Sequence, residues 1–311
     1  MLLTQSYFCI MSMLGTLARL GLTALNTYPG APFSGLLWVQ FVGCVIMGFC
    51  QTESVFFPRP KHNATFLLAI TTGFCGSLTT FSSWMLQMFT GMANLDPFER
   101  RGRGYSFLSV VSDFMVTMCI AMSSLIWGKQ IGKTTGQWRI GKVAFAWPIP
   151  AHTHIVVRVL LLLLSICFFV GAAFYTAYTT NVTHRGIGFS LIFSPFAALT
   201  RLYLARFLNS PQYFIPYGTL CANVFATLLL SIMYMIPQIT HCTPVSRSVM
   251  YGIQNGFCAV LSTLSTFSNE LHTMPIKRAY IYCIISVAIS FSICVIVDGA
   301  TAWGHGYTEK Y

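Results

Sequence analysis

The sequence predicts an all-α polytopic membrane protein: two inverted four-helix repeats joined by a single linker transmembrane helix, about nine helices in all. Three observations carry this. Of 311 residues 55% are hydrophobic and only 8% charged, against about 25% charged in a soluble domain. The apolar runs are long enough to span a hydrocarbon core of about 20 residues and do not alternate, which excludes a barrel. The chain also repeats itself at an offset of 183 residues.

Runs of this length place helices at 5–27, 34–51, 65–90, 105–128, 155–180, 187–208, 214–236, 248–272 and 277–303. The longest polar interval, Lys129 to Thr153, follows the fourth. It sets three regions: a first four-helix repeat over 1–130, a polar loop plus linker helix over 131–185, and a second, inverted repeat over 186–311. The first run begins close to Met1 with no basic segment or small-residue cleavage site before it, as expected of a retained helix.

The net charge of +11 reflects eighteen Lys and Arg against seven acidic residues, most of the cations lying between apolar runs. Such a pattern suits a lipid bilayer with an anionic leaflet and argues against a nucleic-acid partner. Ten cations (Arg59, Lys61, Lys129, Lys133, Arg139, Lys142, Arg158, Arg206, Lys277 and Arg278) fall on the side of the amino terminus, and six (Arg100, Arg101, Arg103, Arg185, Arg247 and Lys310) on the other. This bias favours a cytoplasmic amino terminus. The sequon at Asn181 agrees with it and the sequon at Asn63 does not. Eleven cysteines are scattered singly, without metal or disulfide spacing, and read as reduced packing residues. His152 and His154 lack further ligands nearby in sequence. No nucleophile–base pair or metal cluster marks the helices, so an enzyme is not expected.

Gly73-Phe-Cys-Gly-Ser-Leu-Thr-Thr-Phe-Ser-Ser-Trp84 aligns with Gly256-Phe-Cys-Ala-Val-Leu-Ser-Thr-Leu-Ser-Thr-Phe267, and Gly35–Gln40 with Gly218–Asn223. Leu17-Ala-Arg19 faces Leu199-Thr-Arg201. One helix between two four-helix units forces the second to enter the membrane inverted, giving an antiparallel pair about an in-plane pseudo-two-fold axis. In the second unit Thr219 and Asn223 are one turn apart, and Tyr282, Ser286 and Ser290 recur every fourth residue, a polar stripe on an apolar helix. Serines in membrane helices also bond their own backbone, so the stripe alone leaves packing and function both open.

The third-helix pattern Gly-x-Cys-Gly-x-x-Thr-Thr-Phe-Ser-x-aromatic resembles the small bacterial fluoride channels that work as antiparallel dimers. Fusion of two copies through an extra helix resembles the eukaryotic fluoride exporter form. The resemblance covers roughly residues 5–128 and 187–303. It implies a fluoride-selective passive channel that exports fluoride from the cytosol and confers resistance, working as a monomer in the plasma membrane of a eukaryote because the two repeats replace the homodimer.

The same resemblance pairs the first ring of one third helix with the second ring of the other. One pore would then hold Phe81 and Phe267 with Thr219, Asn223, Tyr282, Ser286, Ser290 and, near its mouth, Glu270. A degenerate counterpart would hold Leu264 and Trp84 with Leu36 and Gln40, and its fourth-helix track is expected at Tyr105, Ser109 and Asp113. Asp113 would repel an anion. The resemblance also implies a structural sodium ion on the carbonyls of Gly76, Thr79, Ala259 and Ser262. Arg19 and Arg201 match the family's first-helix arginine, which would anchor helix ends, raise the local anion concentration or simply snorkel. A secondary transporter of a small anion or other solute is the rival reading, because inverted repeats with broken helices are equally its mark. Only Asp113, Glu270 and Asp298 could then couple it to protons.

Overall fold

A computed structural model describes residues 2–28, 33–52, 64–95, 104–137 and 155–304. Arg59, Lys61, Asn63, Arg100, Arg101, Arg103, Arg139, Lys142, His152, His154 and Lys310 lie outside these residues.

The described residues contain no strand. They form α1 (Leu2–Leu25), α2 (Gly35–Cys50), a broken α3, α4 (Tyr105–Gln137), α5 (Ile155–Tyr178), α6 (Val182–Leu208), α7 (Tyr217–Ile239), a broken α8 and α9 (Ile276–Gly304). Seven of these nine are long and apolar enough to cross a membrane. α2, with 16 residues, spans about 24 Å at 1.5 Å per residue. α3 divides into α3a (64–78) and α3b (Ser82–Met92), and α8 into α8a (244–261) and α8b (Leu264–Thr273). Each first half contains a π-helical stretch, Ala69–Cys75 and Ile253–Cys258, and ends where Thr79 or Ser262 turns to an extended conformation, ψ 151° in both.

The pairing of helices repeats. α1 packs on α3a as α6 packs on α8a, and α2 pairs with α4 as α7 pairs with α9. The second halves exchange contacts between the repeats: α3b packs on α4 of its own repeat and also against α7 and α9, and α8b packs on α9 of its own repeat and also against α2 and α4. α5 packs on α1 and α6 and leaves most of its leucine-rich surface exposed, as a lipid-facing linker should.

Three expected boundaries move. α6 starts at Val182, not 187, because the Asn181 side chain caps it by accepting from the Thr183 and His184 backbone N–H groups. α8a starts at 244 under a Thr243 cap and Pro244, ahead of the expected 248. α4 continues to Gln137 through Lys129 and Lys133, so both the expected end at 128 and the region boundary at 130 fall inside a helix. It continues because it lies in close contact with α2: a Cβ on Gly48 would strike the Leu125 carbonyl, and one on Gly128 the Val45 carbonyl. Small residues permit this approach. Gly128→Leu is expected to lower stability by about 1–3 kcal/mol through overpacking, read by thermal melting in detergent. Gly171→Leu, on the open face of α5 where a Cβ meets nothing within 4 Å, should melt like the parent protein.

Candidate functional site: a helix crossing flanked by two unlike polar faces

At each break a helix begins again in the bilayer interior, and its first N–H groups need acceptors. The hydroxyls at the breaks supply them reciprocally. Ser262 Oγ accepts from the Ser82 N–H of α3b (3.0 Å), and Thr79 Oγ1 accepts from the Ser265 N–H of α8b (3.1 Å). Each repeat thereby caps the other's second half-helix. The next residue caps its own: Thr80 Oγ1 takes the Ser83 N–H and Thr263 Oγ1 the Thr266 N–H, at 3.3 and 3.4 Å. Hydroxyl contacts between Thr79 and Ser265 (2.9 Å) and between Ser82 and Ser262 (2.8 Å) close the crossing. The Thr-Thr and Ser-Thr dipeptides at the breaks therefore work through their side chains.

Arg19 and Arg201 are both buried at this crossing. Arg19 donates to the Ser77 carbonyl of its own repeat (2.9 Å) and to the Asn255 carbonyl of the other. Arg201 does the same with Val260 and Thr72, and also donates to the Gly76 carbonyl (2.7 Å). The extra bond exists because Gly76 has no Cβ; one there would collide with the Arg201 guanidinium. Ala259 carries that methyl in the second repeat. Neither arginine snorkels.

The four carbonyls that the resemblance assigned to sodium are thus unequal. Gly76's holds a guanidinium. Ala259's has lost its helical donor, because the Thr263 N–H is bound by Asn223 Oδ1 (2.9 Å), and Thr79 and Ser262 are extended. The donor set fits a cation on Thr79, Ala259 and Ser262 and not on Gly76.

Exchange of the second half-helices sets Phe81, at the start of α3b, beside Phe267, with ring centroids 5.2 Å apart at 68°. Trp84 meets the Phe81 ring edge-on at 5.6 Å. Phe81, Trp84, Leu264 and Phe267 share one buried cluster, so the two expected ring pairs adjoin each other. Phe267 packs on Tyr282 at 5.0 Å. Below it Ser286 and Ser290 are buried, and neither hydroxyl has a partner. Asn223 is fully buried; its Oδ1 is committed to an N–H, so its unpartnered group is the donor Nδ2. The row continues through Cys294, 3.4 Å from the Ser231 hydroxyl, to the buried Asp298.

At the other end of this row Glu270 receives Thr219 Oγ1 (2.6 Å), Tyr282 Oη (2.9 Å) and Asn209 Nδ2 (3.2 Å). Asn209 also accepts from the Gly218 and Thr219 N–H groups, capping α7. Asn209 was not among the sequence candidates. The signal was present, since Asn209 faces Asn26 at the 183-residue offset; in the first repeat Asn26 bonds the Phe33 carbonyl instead.

The first repeat departs from the expected register. Trp84 stacks on Phe114 (5.9 Å) where Phe267 packs on Tyr282, and Gln87 donates to Asp113 (3.0 Å) where Tyr282 donates to Glu270. Gly48 backs onto Leu125 where Ser231 backs onto Cys294. Asp113 therefore takes the place of Tyr282, not Ser290, and the track reads Asp113, Thr117, Ala121 in place of Tyr105, Ser109, Asp113. The cause is a longer connection: Asp113 follows Trp84 by 29 positions, and Tyr282 follows Phe267 by 15. Tyr105 is 63% exposed, and Ser109 touches Gly91, away from the row. Gln40, at the place of Asn223, is also reversed: its Nε2 donates to the Thr80 carbonyl (2.6 Å), and its unpartnered group is the acceptor Oε1.

A family model described as CrcB-like protein, Camphor Resistance (CrcB), matches residues 6–125 and 188–300, the two repeats without the linker. The chain belongs to this family. A relative named Fluoride export protein 1 from Saccharomyces cerevisiae is 30% identical over 98% of this chain and 94% of its own length. One of the same name from Neurospora crassa is 29% identical over 99% of this chain and 68% of its own. The Fluoride-specific ion channel FluC of Acinetobacter baumannii is 38% identical over 25% of this chain and 61% of its own. No solved structure matches. The family's two halves are thus present in one chain, and the crossing lies at their contact.

Thr79→Val and Ser262→Ala each remove one cross-repeat cap and are expected to cost about 0.5–2 kcal/mol. Ser262→Ala should cost more, because Ser262 Oγ also accepts from the Phe81 N–H. Thr79→Ser and Ser262→Thr should restore the melting temperature.

Proposed function

We propose that this chain is a fluoride-selective passive channel that exports fluoride from the cytosol and confers fluoride resistance, conducting along the Asn223–Tyr282 face of the second repeat. One observation carries the reading: donors without partners are gathered in the membrane interior on that face. Asn223 Nδ2, Ser286 Oγ and Ser290 Oγ are fully buried and unpartnered beside the Phe81–Phe267 pair. A hard, strongly hydrated anion needs its water replaced by donors of this kind, as channel filters replace a hydration shell with coordinating dipoles. Aromatic ring edges add positive quadrupole charge. At the mouth the donors from Thr219, Tyr282 and Asn209 converge on the Glu270 carboxylate. That nest is built for negative charge, and a swing of Glu270 would release its donors to an entering ion.

The relatives named as fluoride export proteins over nearly the whole chain support the choice of anion. Neutral HF crosses lipid, ionises in a near-neutral cytosol and is trapped; a passive path lets a negative membrane potential expel the anion. A single chain with both repeats, working as a monomer in the plasma membrane, completes the proposal. The first-repeat face, with Asp113, Ala121 and the Gln40 acceptor, is the degenerate counterpart. A structural sodium ion at the crossing would rest on the Thr79, Ala259 and Ser262 carbonyls and add a fixed positive charge beside the ring pair.

Fluoride efflux from liposomes carrying purified protein, read with a fluoride electrode against chloride, tests the proposal. Asn223→Leu and the double variant Ser286→Ala/Ser290→Ala should lower flux about tenfold to a hundredfold, as loss of a hydrogen bond to a charged group implies. Thr117→Val should leave it unchanged. No fluoride flux in the parent protein, or flux that follows an imposed proton gradient, would bring forward the transporter reading. For the sodium ion, melting temperature should be higher in sodium chloride than in N-methyl-D-glucamine chloride at equal ionic strength.

A further inference from the structure

The polar row of the second repeat does not end at Ser290. On α7, Thr227 and Ser231 follow Asn223 at every fourth position, and on α9 Cys294 follows Ser286 and Ser290 at the same interval, all of them buried. Cys294 lies about 18 Å along α9 from Tyr282 at 1.5 Å per residue, far from the Glu270 mouth. Thr227 turns its hydroxyl back to the Asn223 carbonyl (2.7 Å). Ser231 instead points its hydroxyl across to the Cys294 thiol (3.4 Å) and also faces the Asp298 carboxylate. At the corresponding level of the first repeat there is no room for such a pair. Gly48 stands at the place of Ser231, 183 positions earlier, and Leu125 at the place of Cys294, since Leu125 follows Asp113 by 12 positions as Cys294 follows Tyr282. There a Cβ on Gly48 would strike the Leu125 carbonyl, and one on Gly128 the Val45 carbonyl, so α2 and α4 meet backbone to backbone. α7 and α9 meet less closely, with side chains between them.

We propose that Ser231 and Cys294 form the exit step of the fluoride row, the last donors the anion meets, and that backbone contact at Gly48 seals the first repeat at the same level. This rests on the fluoride reading of the second repeat. A channel must bind its ion well enough to admit it and weakly enough to release it. The amide of Asn223 and the hydroxyls of Ser286 and Ser290 meet the first need. The Ser231–Cys294 pair meets the second, because a thiol is both a weak donor and a weak acceptor: it holds the Ser231 hydroxyl loosely, and adds only a weak hydrogen bond of its own to the departing ion. Spacing and chemistry thus come from the same two side chains. They keep α7 and α9 apart where α2 and α4 touch, and they line the gap with donors.

Fluoride efflux from liposomes, with the melting temperature of each protein measured in detergent, tests the exit step. Ser231→Ala and Cys294→Val remove the two donors with little change in volume, and each should lower flux about tenfold, as loss of a hydrogen bond to a charged group implies. Their melting temperatures should match that of the parent protein. Cys294→Ser puts a donor back and should conduct like the parent. Parent-like flux in both Ser231→Ala and Cys294→Val, while Asn223→Leu stops conduction, overturns the exit step and leaves the fluoride reading standing. Equal loss in Cys294→Ser and Cys294→Val shows a packing role for the thiol and also contradicts the proposal. No fluoride flux in the parent protein defeats both readings together. Should Cys294→Val melt lower than the parent, Ser231→Ala, which adds no atom, decides: lowered flux supports the step and unchanged flux contradicts it.

Discussion

A helix that starts in the middle of a bilayer carries unmet N–H groups into a solvent that offers no acceptor, and this constraint organises the protein. Two such starts occur, at Ser82 and Leu264, and each is met from both repeats, with Ser262 and Thr79 reaching across from the other one. Neither repeat could satisfy its own broken helix alone. Association of the halves is therefore a condition of satisfying the backbone, which explains why a covalently fused pair keeps a tight crossing although the halves have diverged. The two guanidinium groups reinforce it by binding carbonyls across the pseudo-two-fold axis.

From that crossing the rest follows geometrically. Exchange of α3b and α8b carries Phe81 to the second repeat's polar face and leaves Trp84 facing the first. One scaffold then presents two surfaces of opposite hydrogen-bonding sense. Asn223 must accept from a backbone N–H and so offers an amino group; Gln40, one methylene longer, reaches a carbonyl and offers an oxygen. In both cases the backbone partner fixes which end of the amide is outward. The same inversion is seen at Tyr282 against Asp113, a hydroxyl donor against a carboxylate. A donor face attracts an anion and an acceptor face repels it, so divergence at two or three residues is enough to make the halves electrically unlike.

Much of this was legible in the sequence. Apolar run lengths located all nine helices, and the 183-residue offset placed the breaks, the rings and Asn223 against their counterparts. What escaped was whatever depended on loop length or on contacts between repeats. The offset fails after Trp84, where the connection in the first repeat is longer, so it places the fourth-helix track about two turns too early, at Tyr105. Asn209 was missed because a residue just past a helix end looks like a cap, which it is, while its amide also reaches Glu270. The hydroxyls of Thr79 and Ser262 drew notice only through their backbone oxygens, since nothing in one repeat's sequence shows that its side chains cap the other's helix. α4 outran its apolar segment because Gly128 and Gly132 hold it against α2, a tertiary effect that hydropathy does not record.

Two faces of opposite hydrogen-bonding polarity should differ in what they bind, the donor face alone taking the anion. The most direct measurement is an experimental structure of the protein in sodium fluoride, at a resolution that separates ordered ions, paired with one in fluoride-free buffer. The account predicts fluoride-dependent density beside Asn223 Nδ2 and the Phe267 ring edge, and none beside Gln40 Oε1. Fluoride-dependent density at Gln40, or at both amides alike, would contradict it.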